Sequence, residues 1–286
     1  LASVFGVGQC SSENEGTFAD VQGDLFELKC VSGSWEFAYR KTSRLNIAHT
    51  FGTMVDSRDG EEYKTVTIDL GGTSQTWMAE NLRFAAPGSF CYEDKDIRCR
   101  SYGRLYPWHV AMRLPADFIT NPVEGAITVE HQGICPAGWH VPSQKEWSDM
   151  MLGVAKMKKG SIAAALKMRE GWVRGGAPIS EASGFNAIPA GARYNDGEFM
   201  ELGTSAYFWE ASGGDDTGAA YWNLINSKDD VMRAEDFENT AFSLRCVKNA
   251  AVAADSTKAA TAGNTAPAGD SAAPAGNAAA GALQQK

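Results

Sequence analysis

The chain has 286 residues and a formal net charge of -9 at pH 7, enough for one large domain or two modest ones. An acidic surface repels nucleic acid and anionic membranes, so we expect neither as a partner. No apolar run approaches the roughly 18 residues of a membrane span, so no transmembrane segment is predicted.

The six cysteines are even in number and form neither a CxxC pair nor a zinc-ligand spacing. This usage predicts three disulfides and an oxidising, extracytoplasmic compartment. Six buried free thiols in a cytosolic protein are the alternative, and Cys10 could instead carry a lipid anchor. A chain that begins at Leu1 without an initiator methionine is also expected where a targeting segment has been removed.

Residues 1–40 are predicted to form a small cysteine-stapled β-hairpin module. Apolar and charged residues alternate on both sides of an SGS turn, as in two short antiparallel strands. A Cys10–Cys30 bridge would staple this hairpin, because so few residues cannot build a sufficient core alone. Residues 41–53 are interpreted as a connector.

The main domain is predicted over residues 54–248. It begins with a β-branched strand from Tyr63 to Leu70, which follows an Asp-Gly turn. Cys91 and Cys99 then close a short polar loop.

A helix is predicted after Ser143, which forms a capping box with Glu146. Trp147 opens an apolar stripe at helical spacing along this helix. A second, short helix is predicted from Ser161 to Met168. Residues 184–247 read as a series of short strands separated by Gly and Asp turns.

Cys135 precedes the first helix, and Cys246 lies in the last predicted strand. If they pair, the bridge closes a long loop, worth about 4–5 kcal/mol in the chain-entropy model. Residues 249–286 contain no aromatic residue and are almost entirely small or polar, so we expect a disordered Ala/Gly/Pro-rich tail.

Eight segments of the main domain resemble, in order, the motifs of one bacterial family. They are YKTVTI, QTWMAENLRF, CYED, YGRLYPW, CPAGWHVPSQKEW, GFNAIPAGAR, YFWEAS and FSLRCVK. The sequence from Met54 to Lys248 thereby resembles the Fibrobacter succinogenes major paralogous domain. Its DLGGTS segment is slightly longer than the short Gly turn usual in that family.

The resemblance implies an α+β, C-type-lectin-like fold, related also to formylglycine-generating enzymes. Such a fold has two helices on small, twisted antiparallel sheets and a long loop region. The resemblance supports Cys91–Cys99 and Cys135–Cys246 as disulfides and implies a bacterial surface location. It supplies no ligand and no general biochemical activity.

Enzymatic activity is not predicted, and no catalytic residue is proposed. Pairing of all six cysteines leaves no thiolate for chemistry of the formylglycine-generating type. The histidines are scattered, with no i, i+4 metal spacing. His140 is interpreted as a packing residue with satisfied hydrogen bonds, and Trp77, Trp139 and Trp147 as core residues.

A sugar-binding site is the leading functional hypothesis for the second half of the domain. The Glu-Pro-Asn motif of calcium-dependent lectins is missing, so calcium is conceivable but no cofactor is predicted. Dense aromatic residues occur in two predicted strands, and of these Trp222 is expected at the surface. The candidate ligand-binding residues are Asp215, Asp216, Trp222, Asn223, Asp229 and Asp230.

The sequence therefore predicts a secreted or surface-exposed binding or adhesion domain for polysaccharide or another cell-surface component. A structural subunit of a surface assembly, with protein contacts in place of sugar, is the alternative. An enzyme of the formylglycine-generating type is the remote third.

Overall fold

A computed structural model describes residues 6–21, 25, 27–38, 48–116, 125–173, 175–213 and 218–250. The predicted tail beyond Ala250 and most of the predicted connector lie outside these residues. The described residues up to Asn249 belong to one compact unit.

The described part of the chain contains fifteen short strands and a few helices. The strands are β1 Phe18–Asp20, β2 Glu27–Val31, β3 Ser34–Ala38, β4 Gly52–Val55, β5 Glu62–Asp69, β6 Ser74–Met78, β7 Tyr106–Pro107, β8 Trp139–His140, β9 Ala192–Arg193, β10 Phe199–Met200, β11 Ser205–Gly213, β12 Ala219–Ile225, β13 Val231–Asp236, β14 Ala241–Phe242 and β15 Val247–Lys248. The helices are α1 Asp96–Tyr102, α2 Trp108–Ala111, α3 Gln144–Lys156 and α4 Ile162–Leu166, with a 3₁₀ turn at Tyr92–Asp94.

The strands form small antiparallel sheets, so the predicted α+β class is confirmed at this level. Within the described residues the strand orders are β1-β2-β3, β10-β9-β14-β7, β11-β12-β13 and β4-β5-β6-β15-β8. In the last of these the final strand lies in the interior, where Val247 pairs with Trp77 on one side and His140 on the other. The helix predicted after Ser143 and the short helix predicted from Ser161 to Met168 are both present, as α3 and α4.

The predicted N-terminal hairpin is confirmed as β2 and β3. Its turn residues Ser32 and Gly33 have φ of 49° and 79°, as a tight two-residue hairpin turn requires. Strand β1 adds a third strand that the sequence did not predict. The sheet's small apolar cluster includes Leu28 and reaches Ile97 on α1, so the hairpin packs against the main domain.

All three predicted disulfides are confirmed. They join Cys10 to Cys30, Cys91 to Cys99, and Cys135 to Cys246, with 111 residues of sequence separation in the last. The long bridge ties the turn before α3 to the residue preceding β15.

Helix α3 begins as the sequence predicts. The Ser143 side chain accepts from the Glu146 amide, and the Glu146 carboxylate accepts from the Ser143 amide at 2.9 Å. The same carboxylate contacts His140 Nε2 at 2.7 Å, and His140 Nδ1 lies 2.9 Å from Asn249 Oδ1. His140 is therefore a buried residue with satisfied hydrogen bonds, as predicted.

One arginine organises the centre of the domain. Arg245 is fully buried, and its guanidinium donates to Asn81 Oδ1 at 2.8 Å and to the Met78, Phe185 and Asn186 carbonyls. Burial lowers the pKa of Arg245 to about 9. This side chain links the strand end at Met78 to the loop at Phe185.

Candidate functional site

The four predicted site residues that the structure describes, Trp222, Asn223, Asp229 and Asp230, do not form one site. Asp215 and Asp216 lie outside the described residues, in the connection from β11 to β12. Asp229 and Asp230 lie in the turn from β12 to β13. The two connections join opposite ends of β12, whose seven residues span about 20 Å.

The prediction that Trp222 lies at the surface is wrong. It is 6% exposed, and its indole Nε1 donates to Glu210 Oε2 at 2.7 Å. Its ring stacks on Trp147 with centroids 6.0 Å apart. The reason is register: Trp222 pairs with Phe208 on β11, and both project toward the helix α3 side of the sheet.

The other described candidates have separate environments. Asn223 is 6% exposed and projects from the opposite face of β12, and its Oδ1 has no hydrogen-bond partner among the described residues. Asp229 accepts from Ser161 Oγ at 3.2 Å, and Asp230 is exposed. Trp77, Trp139 and Trp147 are buried, as predicted.

The sheet β11-β12-β13 has two chemically different faces. We define the tryptophan face as Phe208, Glu210, Trp222, Leu224 and Arg233, which project toward α3. We define the tyrosine face as Tyr207, Trp209, Tyr221, Asn223 and Asp236, which the register places on the other side.

A buried ion pair organises the tryptophan face. Glu210 is fully buried and contacts Arg233 Nη2 at 2.8 Å, while it also accepts from Trp222. The hydrogen bond to Glu210 raises the pKa of Arg233 above its ordinary value. Every strong donor on this face has a protein acceptor, so the face is suited to holding the fold.

The tyrosine face begins with a stack of aromatic rings. Tyr207 lies against Phe242 of β14, with centroids 4.7 Å apart and planes 14° apart. Tyr221 contacts Phe242 at 4.8 Å and Tyr207 at 5.6 Å. Tyr221 and its neighbour Tyr194 are half-buried, whereas Tyr207 is buried. The stack fixes the rings of Tyr207 and Tyr221. The half-buried phenols of Tyr221 and Tyr194 still reach solvent.

Carboxylates join the phenols at this place. The Tyr207 hydroxyl donates to Glu201 Oε2, and the Tyr194 phenol interacts with Tyr207. Burial and then the Asp236 charge raise the pKa of Tyr221 to about 12, so its phenol is protonated at neutral pH. We call Tyr194, Glu201, Tyr207, Tyr221 and Asp236 the tyrosine cluster.

The backbone around the cluster is held in defined turns. Glu201 adopts φ 67°, a left-handed conformation that costs a non-glycine residue about 1–2 kcal/mol. Asp236 Oδ1 accepts from the Phe237 amide at 2.7 Å and from Thr240 Oγ1 at 3.2 Å. This turn presents the Phe237 ring to solvent, with 56% of the residue exposed.

Several polar groups of the cluster are available to a ligand. Across the part of the chain that the structure describes, the Tyr221 hydroxyl has no hydrogen-bond partner, and neither Glu201 nor Asp236 forms an ion pair. No group of three or more His, Cys, Asp or Glu side chains suited to a metal ion occurs among the same residues. The arrangement therefore offers donors, acceptors and an exposed ring.

The sequence analysis missed this cluster because its members come from separate segments. Tyr194 follows β9, Glu201 follows β10, and the others lie on three strands. The sequence did contain one indication of the cluster. Tyr221 and Asn223 alternate with Trp222 and Leu224 along β12, so the two pairs must lie on opposite faces of the strand.

The family model of the Fibrobacter succinogenes major domain matches residues 70–248. This is more than half of the chain. The chain belongs to this family. The match includes helix α3, the sheet with two faces and β15, and it begins later than the Met54 boundary predicted from motifs. Searches of the curated proteins and of the solved structures returned no match.

Two further findings concern the surroundings of this family domain. All six cysteines are in disulfides. In the described ranges, no helix is both long and apolar enough to cross a bilayer.

Proposed function

We propose that this protein is a non-catalytic binding or adhesion domain that recognises polysaccharide through the tyrosine cluster and Phe237. The observation that carries the proposal is the pairing of fixed, partly open phenols and of carboxylates that form no ion pair in the described residues with an exposed aromatic ring. Sugar rings stack on aromatic faces, and their hydroxyl groups bond to carboxylates and phenols.

The proposal includes a C-type-lectin-like fold and a secreted or bacterial cell-surface location. The small antiparallel sheets, the two main helices and the family membership support the fold. Three disulfides support an oxidising compartment. In such a fold the recognition surface is expected on loops and strand ends. Glu201 and Asp236 lie in turns of this kind.

The direct test is a binding screen against plant cell-wall polysaccharides and amino-sugar polymers, followed by two variants. Phe237→Ala removes the stacking ring, and Tyr221→Phe removes one hydroxyl while it keeps the ring stack on Phe242. We expect both to weaken binding of a polysaccharide that the parent binds. Adding EDTA or calcium to the same assay tests for a calcium requirement.

Phe18→Ala is the matched control for Phe237→Ala. Phe18 is also an exposed phenylalanine, at 39%, but it lies on β1 of the N-terminal sheet. The control should bind like the parent. If Phe237→Ala and Tyr221→Phe fold and bind like the parent too, recognition does not occur at this cluster.

The alternative is a structural subunit of a bacterial surface assembly. Exposed apolar side chains near the cluster favour it, since Met200, Met232 and Phe237 are 51%, 38% and 56% exposed. Exposed apolar side chains of this kind occur at protein interfaces. A glycan screen without any binder, together with concentration-dependent self-association that Phe237→Ala abolishes, would favour this alternative.

The remote alternative is an enzyme of the formylglycine-generating type. That chemistry requires a reactive cysteine thiolate, and here each cysteine has a disulfide partner. Thiol titration of the native protein tests this point, and we expect no free thiol.

A further inference from the structure

The charges that face the tyrosine cluster are all negative. Glu201 and Asp236 have no ion-pair partner among the residues that the structure describes. The two neighbouring arginines are engaged elsewhere. Arg193 stacks on Phe90 with 4.1 Å between the guanidinium carbon and the ring centroid, and Arg233 binds Glu210. The cluster therefore has two carboxylates and no cation to neutralise them.

The aromatic rings at the same place also favour a positive group. The face of an aromatic ring is the negative part of its quadrupole, and it attracts ammonium groups within about 6 Å. Tyr194 and Tyr221 are half-buried, and Phe237 is exposed next to Asp236. A cation held by the carboxylates would lie against these rings.

Asn223 gives an independent indication that the face lacks a donor. It is 6% exposed, and it lies directly opposite Tyr207 and two residues from Tyr221 on the same face of the sheet. Its Oδ1 accepts no hydrogen bond in the described structure. An unpaired buried acceptor costs about 1–3 kcal/mol in general, so this face retains an acceptor that the protein does not use. Carboxylates and an amide oxygen accept, whereas an ammonium group brings three donors.

We propose that the tyrosine cluster selects amino sugars that carry a free ammonium group, as in a polymer of glucosamine. This inference rests on the proposed function, because it names the class of polysaccharide for the same site. Uronic-acid polymers are disfavoured by the two carboxylates and by the net charge of -9. Neutral sugars, including N-acetylglucosamine, lack the charge that this site complements.

The test compares glucosamine and N-acetylglucosamine oligosaccharides of equal length. Titration calorimetry at about pH 6 keeps the glucosamine amine protonated. We expect the glucosamine oligosaccharide to bind at least about tenfold more tightly, which corresponds to one charge-assisted contact. Added salt should reduce this preference.

Asp236→Asn and Glu201→Gln are the variants, since each removes a charge and keeps the shape. Each should lower the affinity for the glucosamine oligosaccharide about tenfold and that for the N-acetylated one by a clearly smaller factor. Asp229→Asn is the matched control, because Asp229 is a carboxylate in a turn of the same sheet, beyond the cluster. Circular dichroism and melting temperatures of all variants establish that they are folded.

The outcomes distinguish the two proposals. Equal or tighter binding of the N-acetylated sugar, lost in Tyr221→Phe, overturns the amino-sugar selectivity and retains the proposed function. Binding of neither sugar, nor of any polysaccharide in the screen, overturns both. A glucosamine affinity that Asp229→Asn reduces as much as Asp236→Asn would show general attraction to an acidic protein, which also overturns the selectivity.

Discussion

The two faces of the sheet β11-β12-β13 carry similar residue types and do different work. Both have aromatic rings and a carboxylate. On the tryptophan face, Glu210 is fully buried and bonded to both Trp222 and Arg233. On the tyrosine face, Asp236 is half-buried and has no ion pair in the described residues.

The difference teaches how one strand can serve stability and recognition together. Residues of β12 alternate between the faces, so one side chain packs against α3 while the next contributes to the tyrosine face. Trp222 is locked between Glu210 and Trp147, while Tyr221 keeps its hydroxyl open. A substitution on one face should therefore affect the melting temperature, and a substitution on the other should affect binding.

The largest effect is expected for Trp147→Ala beneath the tryptophan face. Trp147 is fully buried, with ring contacts to Trp77, Phe185 and Trp222. Its removal should lower the free energy of unfolding by about 3–5 kcal/mol. Denaturant unfolding measures this. Tyr221→Phe, on the other face, should change it by less than about 0.5 kcal/mol, and equal losses would contradict the division between the faces.

The next effect is expected for Glu210→Ala, which leaves the Arg233 guanidinium and the Trp222 indole without their acceptor. We expect a loss of about 2 kcal/mol, because the buried Trp222 indole loses its acceptor while Arg233, with 28% of its side chain exposed, reaches solvent. Glu235→Ala is the control, because Glu235 is an exposed carboxylate 3.9 Å from the same arginine. Glu235→Ala should lower the free energy of unfolding by at most about 0.5 kcal/mol. A similar cost for both variants would mean that burial of Glu210 contributes little.

A smaller effect of opposite sign is expected for Asn223→Leu on the tyrosine face. The substitution keeps the size of the side chain and removes the buried Oδ1 that lacks a partner. Thermal unfolding should show a gain of up to about 1 kcal/mol, while the affinity for a glucosamine oligosaccharide falls. Destabilisation together with unchanged binding would show that Asn223 is an ordinary core residue.

The smallest effect concerns Glu238, in the turn that follows Asp236. Burial raises the pKa of Glu238 above its ordinary value of 4.5, and Oε2 has no partner in the described structure. A raised carboxyl pKa favours the folded state below the unfolded value and disfavours it once the group ionises. Glu238→Gln should therefore raise the melting temperature by about 2 °C near pH 8 and have no effect below about pH 4. Exposed Glu235→Gln should show no such pH dependence.

Local patterns in the sequence were enough for the covalent frame and the main helix. The capping box of Ser143 and Glu146 lies within four residues, and the cysteine count and spacing led to the observed pairs. The alternative of free thiols and that of a lipid anchor on Cys10 are both wrong, because each cysteine is in a disulfide.

The binding surface could not be predicted in the same way. The segment AAYWNLI is apolar on both faces of β12, so alternation alone does not say which residues face solvent. The choice is made by tertiary partners: Trp147 and Glu210 cover one face, and Phe242 supports the other. Asp229 lies at the far end of β12 from Asp236, so these two carboxylates do not belong to one cluster.

The position of β15 has a consequence for the order of folding. Val247 joins β6 to β8, and Arg245 and Cys246 beside it bind the centre of the domain. An interior position of the five-stranded sheet, next to the edge strand β8, is therefore empty without this last strand, and such distant pairing slows folding. A nascent or truncated chain that lacks residues 245–248 would expose two unpaired strand edges, which are templates for aggregation. Completion of this sheet therefore depends on the final four residues of the domain.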